Sequence, residues 1–188
     1  MAVTKLLKVR LSFPQIFTAE EYEAGDGRPR YAAAFLVEPG SPTDKAIRKD
    51  MLAAATEKWG AKGPDVLNKA LKGDNRDVCY YDGNKKEYDG YADKMALSTS
   101  RPKKDGRPGV YDRDRSPLTE EDGKIYAGCY VNAIVSFWPQ DNKNGKTIRC
   151  TLVSVQFDSD GDAFSAASMP NPEEFEDLGD GSTADDLV

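Results

Sequence analysis

Histidine is absent from the 188-residue chain, and that one absence removes the usual general base, the usual metal ligand and every Ser-His or Cys-His nucleophilic pair. Most enzyme classes lose their best candidate with it. Cysteine is scarce: Cys79, Cys129 and Cys150 are odd in number, widely spaced and never arranged as Cys-x-x-Cys. Neither a disulfide framework nor a zinc ribbon fits that spacing, so buried, reduced thiols are expected. There is no apolar run of roughly 18 residues or more, and Met1-Ala2-Val3-Thr4-Lys5 lacks the layout of a signal peptide. A soluble, intracellular protein without a membrane partner or a cofactor is the expectation.

Basic residues are missing from residues 158–188, which hold ten acids and no Lys or Arg. The overall net charge of -6 therefore divides into a body of 26 basic and 22 acidic residues, net +4, and a -10 terminus. A terminal block of like charge with few apolar residues cannot offset the entropy of ordering. Two units follow: a folded domain over residues 1–157 and an acidic, disordered tail over residues 158–188.

Within the body, residues 5–13 alternate as Leu7, Val9, Leu11 and Phe13 against Lys8, Arg10 and Ser12, a half-buried strand closed by Pro14. Residues 31–37 read as a second strand after a Gly25, Gly27, Pro29 loop tip. Ser41-Pro42-Thr43-Asp44 starts a helix, with Ser41 as N-cap and Pro42 at the first helical position. Ala46, Ile47, Met51, Leu52, Ala55 and Trp59 continue it to Gly60, and a shorter helix follows Gly63-Pro64 to Gly73. Strands are expected over residues 78–81, 91–98, 129–138 and 147–157, with residues 139–145 as a polar hairpin connection. Most strands follow one another without a helix between, which argues for an antiparallel barrel or sandwich over a doubly wound sheet.

Residues 94–115 interleave Lys94, Arg101, Lys103, Lys104, Arg107, Arg113 and Arg115 with Gly, Pro and Tyr111. Cations that track phosphates and aromatic faces on which bases stack are what a single nucleic-acid strand requires. Tyr80, Tyr81, Tyr88 and Tyr91 lie close by in polar sequence with Lys85 and Lys86, and Trp138 precedes a turn bearing Lys143 and Lys146. Trp59, on an apolar helix face, reads as core. The phosphate candidates are Lys94, Arg101, Lys103, Lys104, Arg107, Arg113 and Lys146; the stacking candidates are Tyr91, Tyr111 and Trp138.

Other motifs fail on inspection. Asn144-Gly145-Lys146-Thr147 resembles the end of a phosphate loop, but Gln140 stands where its first Gly belongs and a strand follows. Asp158, Asp160 and Asp162 lack the Gly and Glu spacing of a calcium loop. Asp112, Asp114, Glu120, Glu121 and Asp122 could hold two magnesium ions as a nuclease does, but Arg113 and Arg115 between them make a self-neutralising loop.

The segments Arg107-Pro108-Gly109-Val110-Tyr111-Asp112 and Tyr126-Ala127-Gly128-Cys129-Tyr130-Val131-Asn132-Ala133 resemble a phage family, grouped as a domain of unknown function, whose characterised members bind single-stranded DNA. The resemblance spans the body. It implies an OB barrel like that of helix-destabilising proteins, which coat single strands during phage DNA replication and recombination in the cytoplasm of the infected cell. It further implies no catalysis, self-association on DNA, and an acidic tail that competes with DNA and recruits phage or host replication and recombination proteins. Asp185-Asp186-Leu187-Val188 would be the partner-binding tip, though it lacks the terminal aromatic of several such tails. Two other readings stay open: a phage structural or protein-interaction module without DNA binding, and a magnesium-dependent nuclease.

Overall fold

The N-terminal alternation does form a strand, but a longer and more bent one than expected. In the computed structural model, which describes residues 2–21 and 25–164, strand β1 spans Thr4–Glu20 and runs through Pro14. Lys8 and Phe13 within it both have φ 48°. Each sits at a break in register, one against strand β6 (Tyr130–Asn142) between Leu6 and Val9, the other against strand β2 (Arg30–Val37) between Ser12 and Gln15. An extra residue in one strand of a pair reverses the side-chain alternation beyond it. Of the four residues expected on one inner face, Val9 and Leu11 are therefore buried while Leu7 and Phe13 are exposed. Pro14 is tolerated because a bulge frees the strand from the ladder bond that its missing N–H would have made.

Helix α1 (Pro42–Trp59) begins as the sequence predicts: the Ser41 hydroxyl accepts from the Asp44 N–H at 3.2 Å, and the Asp44 carboxylate accepts from the Gly40 N–H at 2.8 Å. The first bond satisfies an amide that the first helical turn leaves without a partner, and the second ties the helix to the residue before its cap. Ile47, Met51 and Ala55, one per turn, are wholly buried on a face that packs against β1, β6 and strand β7 (Gly145–Ser159). A 3-10 turn over Gly60–Lys62 leads to helix α2 (Gly63–Ala70). A Cβ at Gly63 would lie 2.7 Å from the Ala55 carbonyl oxygen, so the close approach of the two helices requires glycine there.

The remaining strands are β3 (Tyr80–Asp82), β4 (Met95–Pro102) and β5 (Gly109–Tyr111). The sheet order is β3-β4-β2-β1-β6-β7-β5, all neighbours antiparallel except β5 with β7. A further parallel pairing, Ser100 with Thr151, joins β4 to β7. That bridge closes β4-β2-β1-β6-β7 into a five-stranded Greek-key barrel, the OB topology. The hairpin between β6 and β7 is tighter than expected: Asn142 faces Gly145, leaving only Lys143 and Asn144 in the turn. Leu6, Leu11, Phe35, Leu97, Val131, Val135 and Leu152 fill the interior. Cys79, Cys129 and Cys150 are buried and unpaired, and burial pushes the Cys79 thiol up to about 12, well outside the reactive range.

Residues 158–164, assigned to the tail from their charge, are instead the end of β7 and a packed strap: the strand runs to Ser159 and the Phe164 N–H donates to the Ala127 carbonyl at 3.0 Å. Cross-strand pairing with Tyr130 extends the ladder past the point where the charge pattern changes. The rest of the acidic stretch, including Asp185, Asp186, Leu187 and Val188, lies outside the described residues.

Candidate functional site

Residues directly opposite one another in antiparallel strands share a face. On the outer face of β1, β2 and β4 this places Ser12, Ala34 and Ser98 in one row and Gln15, Ala32 and Ser100 in the next, with Arg30 and Pro102 beyond. The inward positions between them, Tyr31, Ala33 and Phe35, are buried. Ser12 and Ala34 are themselves buried, Ser12 bonded to Tyr91, so the accessible part is the row of Gln15, Ala32 and Ser100, a shallow floor of mostly short side chains. That row and Arg30 beyond it lie about 7 Å apart along β2, at ~3.3 Å per residue.

One end of the floor is cationic. An open groove of about 650 Å³ is lined by Arg28, Arg30, Lys103 and Lys104 together with Ser100 and Pro102. The two contributing loops are joined where the Lys103 N–H donates to the Pro29 carbonyl at 3.0 Å. Arg30 pairs with Asp26 at 3.2 Å, which offsets part of its charge. Arg101 does not present itself to the groove as a free cation. Its guanidinium donates to the carbonyls of Asp105 (2.8 Å), Gly106 (2.8 Å) and Leu152 (3.4 Å), so its role is to hold the 3-10 turn that carries Lys103 and Lys104. Arg107 is exposed at the end of that loop, 6.0 Å from the Phe17 ring centroid.

The other end is aromatic. Phe13 and Tyr88 are 53% and 49% exposed and meet edge to face, with centroids 4.9 Å apart and planes at 75°. Tyr91, expected to stack on a ligand, is only 1% exposed and presents no face to solvent. It lies under the pair, 5.2 Å from Tyr88 and 6.5 Å from Phe13, and its hydroxyl donates to Ser12 Oγ at 3.2 Å. Burial pushes the Tyr91 phenol above its ordinary value against the pull of that hydrogen bond. The cluster of tyrosines in polar sequence thus splits: Tyr80, Tyr81 and Tyr91 are core, and Tyr88 is at the surface.

A strap crosses beside this end. Tyr126 accepts from the Gly161 N–H at 3.1 Å and donates toward Asp160 Oδ1 and the Gly161 carbonyl, both at 3.0 Å. Gly128 has φ 106°, and a Cβ there would fall on the Asp162 carbonyl oxygen. Arg10 donates to the Gly128 and Asp162 carbonyls and lies 4.3 Å from the Phe164 ring centroid. Phe164 lies against Gly90, where a Cβ would meet both its ring and Leu36, a β2 residue on the same outer face as Ala34. The Tyr-Ala-Gly-Cys segment is therefore a clamp on the strap that leads into the acidic residues.

The other candidates are dispersed. Lys94 lies at the opposite end of β4 from Lys103, about 30 Å away at ~3.3 Å per residue, and pairs with Glu38. Arg113 donates to the Asp158 carbonyl. Tyr111 is exposed on a different face, beside Lys5, Leu7, Arg115, Asn132, Ile134 and Gln156 over β1, β6 and β7. Lys146 sits near the β6–β7 hairpin tip, and half-buried Trp138 faces Arg149 three pairs further along. Asp112, weighed as a magnesium ligand, bonds to the Lys124 ammonium and accepts from the Arg113 N–H, and both hold its carboxyl below the usual range.

Sequence reasoning did not name Arg28, Arg30, Phe13 and Tyr88 as candidates for this face. A signal for the first two was present: Arg28 lies in the Gly25 to Pro29 loop tip and Arg30 directly follows it at the start of a strand. Nothing local marked Phe13, because its exposure comes from a bulge defined by pairing with β2.

Comparison with known proteins bears on the whole chain. The profile of a family described as "Enterobacter phage Enc34, ssDNA-binding protein" matches residues 2–188. The "Putative protein p50" of Acyrthosiphon pisum secondary endosymbiont phage 1 is 43% identical over 176 residues, covering 93% of this chain and 92% of that one. The fold is similar to the single-stranded DNA-binding protein of bacteriophage Enc34 solved in complex with ssDNA, with TM-score 0.69, 24% identity, and 86% and 88% of the two chains covered. It is also similar to gp2.5, a single-stranded DNA-binding protein encoded by bacteriophage T7, with TM-score 0.60, 15% identity, and 95% and 97% covered. The barrel expected from the sequence is thus the fold these proteins share.

Proposed function

The chain belongs to the family of the single-stranded DNA-binding protein of Enterobacter phage Enc34, and from that premise we propose that it binds single-stranded DNA without sequence preference and protects it during phage DNA replication and recombination. It does so in the cytoplasm of the infected cell, as a binder with no chemistry of its own. The observation that carries the reading is the order of features along one barrel face: exposed aromatics, a floor of Ala and Ser, then four cations around a groove. Phosphates are attracted by the cations and bases by the rings, and neither attraction depends on base identity.

The acidic terminus acts in this reading as a tethered competitor. Support comes from Phe164, which lies on the same barrel face as the floor, about 20 Å along β2 from Arg30, so the acids that follow it in sequence are tethered within reach of the cations at high effective concentration. When DNA displaces it, the segment is available to replication and recombination proteins, with Asp185, Asp186, Leu187 and Val188 as the recognised tip.

The test is fluorescence anisotropy of a labelled oligo-dT and of a duplex of equal length, at two salt concentrations. It compares the full chain with one ending at Phe164, which keeps the clamp and removes seven acids. Salt-sensitive binding of oligo-dT over duplex, tighter in the shorter chain, is expected. Absence of binding by either form refutes the reading; equal affinity of the two forms refutes competition by the acidic segment.

A further inference from the structure

The face formed by β1, β6 and β7 is a different one from the floor, and it carries a second open groove, of about 480 Å³. That is the size of a small-ligand site. Leu7 is 63% exposed there and Tyr111 39%, and half-buried Ile134 pairs with Lys5 on one side and Ser154 on the other. The break in register at Lys8 turns Leu7 outward. A Cβ at Gly109 would come 2.6 Å from the Tyr111 ring, so glycine in the Pro-Gly-Val segment is what lets that ring fold back on its own strand. The side-chain amides of Asn132 and Gln156 bond to each other at 3.3 Å and to the main chain of Lys8, Asp112 and Arg113. What the groove offers a ligand is therefore apolar surface flanked by two cations, Lys5 and Arg115. Among the described residues neither cation forms an ion pair, and the acids of the turn before Arg115, Asp112 and Asp114, are bonded to Lys124 and Ser116. Arg115 also holds a left-handed backbone at φ 71°, where glycine would sit with less strain; such strain recurs where a side chain has a task.

A segment of matching chemistry follows the strap in sequence: Glu173-Glu174-Phe175-Glu176-Asp177-Leu178 sets two large apolar side chains among four acids. We propose that residues 173–178 dock in the β1-β6-β7 groove of their own chain, with Phe175 and Leu178 on Leu7, Tyr111 and Ile134, and the acids beside Lys5 and Arg115. The tether fits the span. Phe164 lies beside Leu36, which pairs with Arg10, and Arg10 pairs with Tyr130; that is two strand spacings, about 10 Å. Ile134 stands four residues further along β6, about 13 Å at ~3.3 Å per residue, which puts the groove roughly 16 Å from Phe164. Phe175 comes 11 residues after Phe164, and a random chain of that length spans about 18 Å. A tether gives its highest effective concentration when its span matches the separation. DNA is the poorer occupant, because two cations flank an aliphatic surface here, against four around the groove beside the floor. The docking goes beyond the single-strand-binding reading and does not depend on it. Where both hold, the groove draws four of the seven acids after Phe164 away from the cations around Lys103, so a segment displaced by DNA has a second place to rest while Asp185-Asp186-Leu187-Val188 stays free.

The test is NMR of the isotope-labelled full chain carrying a nitroxide at Ser182→Cys, just beyond the segment. Cys79, Cys129 and Cys150 are buried, so the nitroxide goes to the introduced thiol. Broadening of the Leu7, Tyr111 and Ile134 amides, relieved when the nitroxide is reduced, is the expected result. It is expected to be lost with Phe175→Ser and Leu178→Ser together, a change that leaves every described residue as it was. Lys5→Glu with Arg115→Glu loses it too, with the rest of the barrel spectrum unchanged. Groove amides that do not broaden, or that still broaden when Phe175 and Leu178 are replaced, overturn the proposal. Broadening of an isotope-labelled chain by a separate chain that carries the nitroxide assigns the occupant to a second copy and overturns it likewise. Groove amides that shift when oligo-dT is added to the chain lacking Phe175 and Leu178 make DNA the occupant, which also overturns it. The broadening is read without DNA, so its failure leaves the single-strand-binding reading standing, and failure of that reading leaves the docking standing.

Discussion

Replacing Lys103 and Lys104 by glutamine isolates the electrostatic half of the site. Both side chains are exposed on a 3-10 turn held in place by Arg101 and by the bond from the Lys103 N–H to Pro29, so the substitutions remove charge without opening the core. Four cations line the groove. If each neutralises one phosphate of a single strand, log K falls with log salt at a slope of about -2.8, at ~0.7 per phosphate. A fourfold rise in salt then weakens wild-type binding by about 50-fold. With two cations left, the slope is about -1.4 and the same change weakens binding by only about 7-fold. The assay is anisotropy of labelled oligo-dT across a salt series, read as a slope, because a slope counts displaced ions and is insensitive to a uniform loss of active protein. A double variant with the wild-type slope would show that the strand does not follow this rim. Arg101→Gln serves as the companion: it frees the Asp105 and Gly106 carbonyls and loosens the turn, so affinity falls although no groove-lining cation is lost.

Two further outcomes follow from the scaffold. Gly128→Ala sets a Cβ on the Asp162 carbonyl at a left-handed position, so the strap detaches: hydrogen exchange at Gly161 and Phe164 accelerates while α1 stays protected, and unchanged exchange at those two amides would refute the clamp. Asp44→Asn tests the helix start. Burial alone would raise the Asp44 carboxyl, but bonds from Tyr80 (2.6 Å) and the Gly40 N–H, with the charge of Arg48, outweigh it and lower the value in the folded state. A depressed folded value contributes stability above the unfolded carboxyl range and loses it as pH falls through the folded value. Urea unfolding at neutral pH should therefore show the variant less stable by about 1.5–3 kcal/mol, typical of hydrogen bonds to a charged group, with the gap narrowing as pH falls below the ordinary carboxylate range; a gap independent of pH would refute the role of the charge.

The features legible from the sequence were those set by near neighbours. Ser41, Pro42 and Asp44 start α1 within one turn, and Ile47, Met51 and Ala55 recur at helical spacing, so the helix was written locally. The strand expected over residues 129–138 forms as β6, with Val131, Ala133, Val135 and Phe137 buried. The resemblance carried by the Pro-Gly-Val and Tyr-Ala-Gly-Cys segments pointed to the right family, yet for reasons of scaffold: Tyr126 and Gly128 clamp a strap. Among the basic residues, the segment was legible but the roles were not. Lys103 and Lys104 line the groove, whereas Arg101 is satisfied by carbonyls as far off as Leu152, 51 positions away, and Arg113 by Asp158.

The division has one physical origin. Period, capping and charge blocks are properties of a few consecutive residues, so the sequence by itself determined that this is a β-rich body with a capped helix, buried thiols and an acidic terminal stretch. Which way a side chain points after a bulge depends on register with a partner strand, and an extra residue turns an expected core ring outward, as at Phe13. Which tyrosine is buried depends on what closes over it: Tyr91 reaches Ser12, 79 positions away, and Tyr88 reaches only the surface. Only the closed barrel, joined at Ser100 and Thr151, brought the Arg28 loop, the Ala and Ser floor and the Phe13 bulge onto one face, because strand pairing between distant segments is the only force that aligns them.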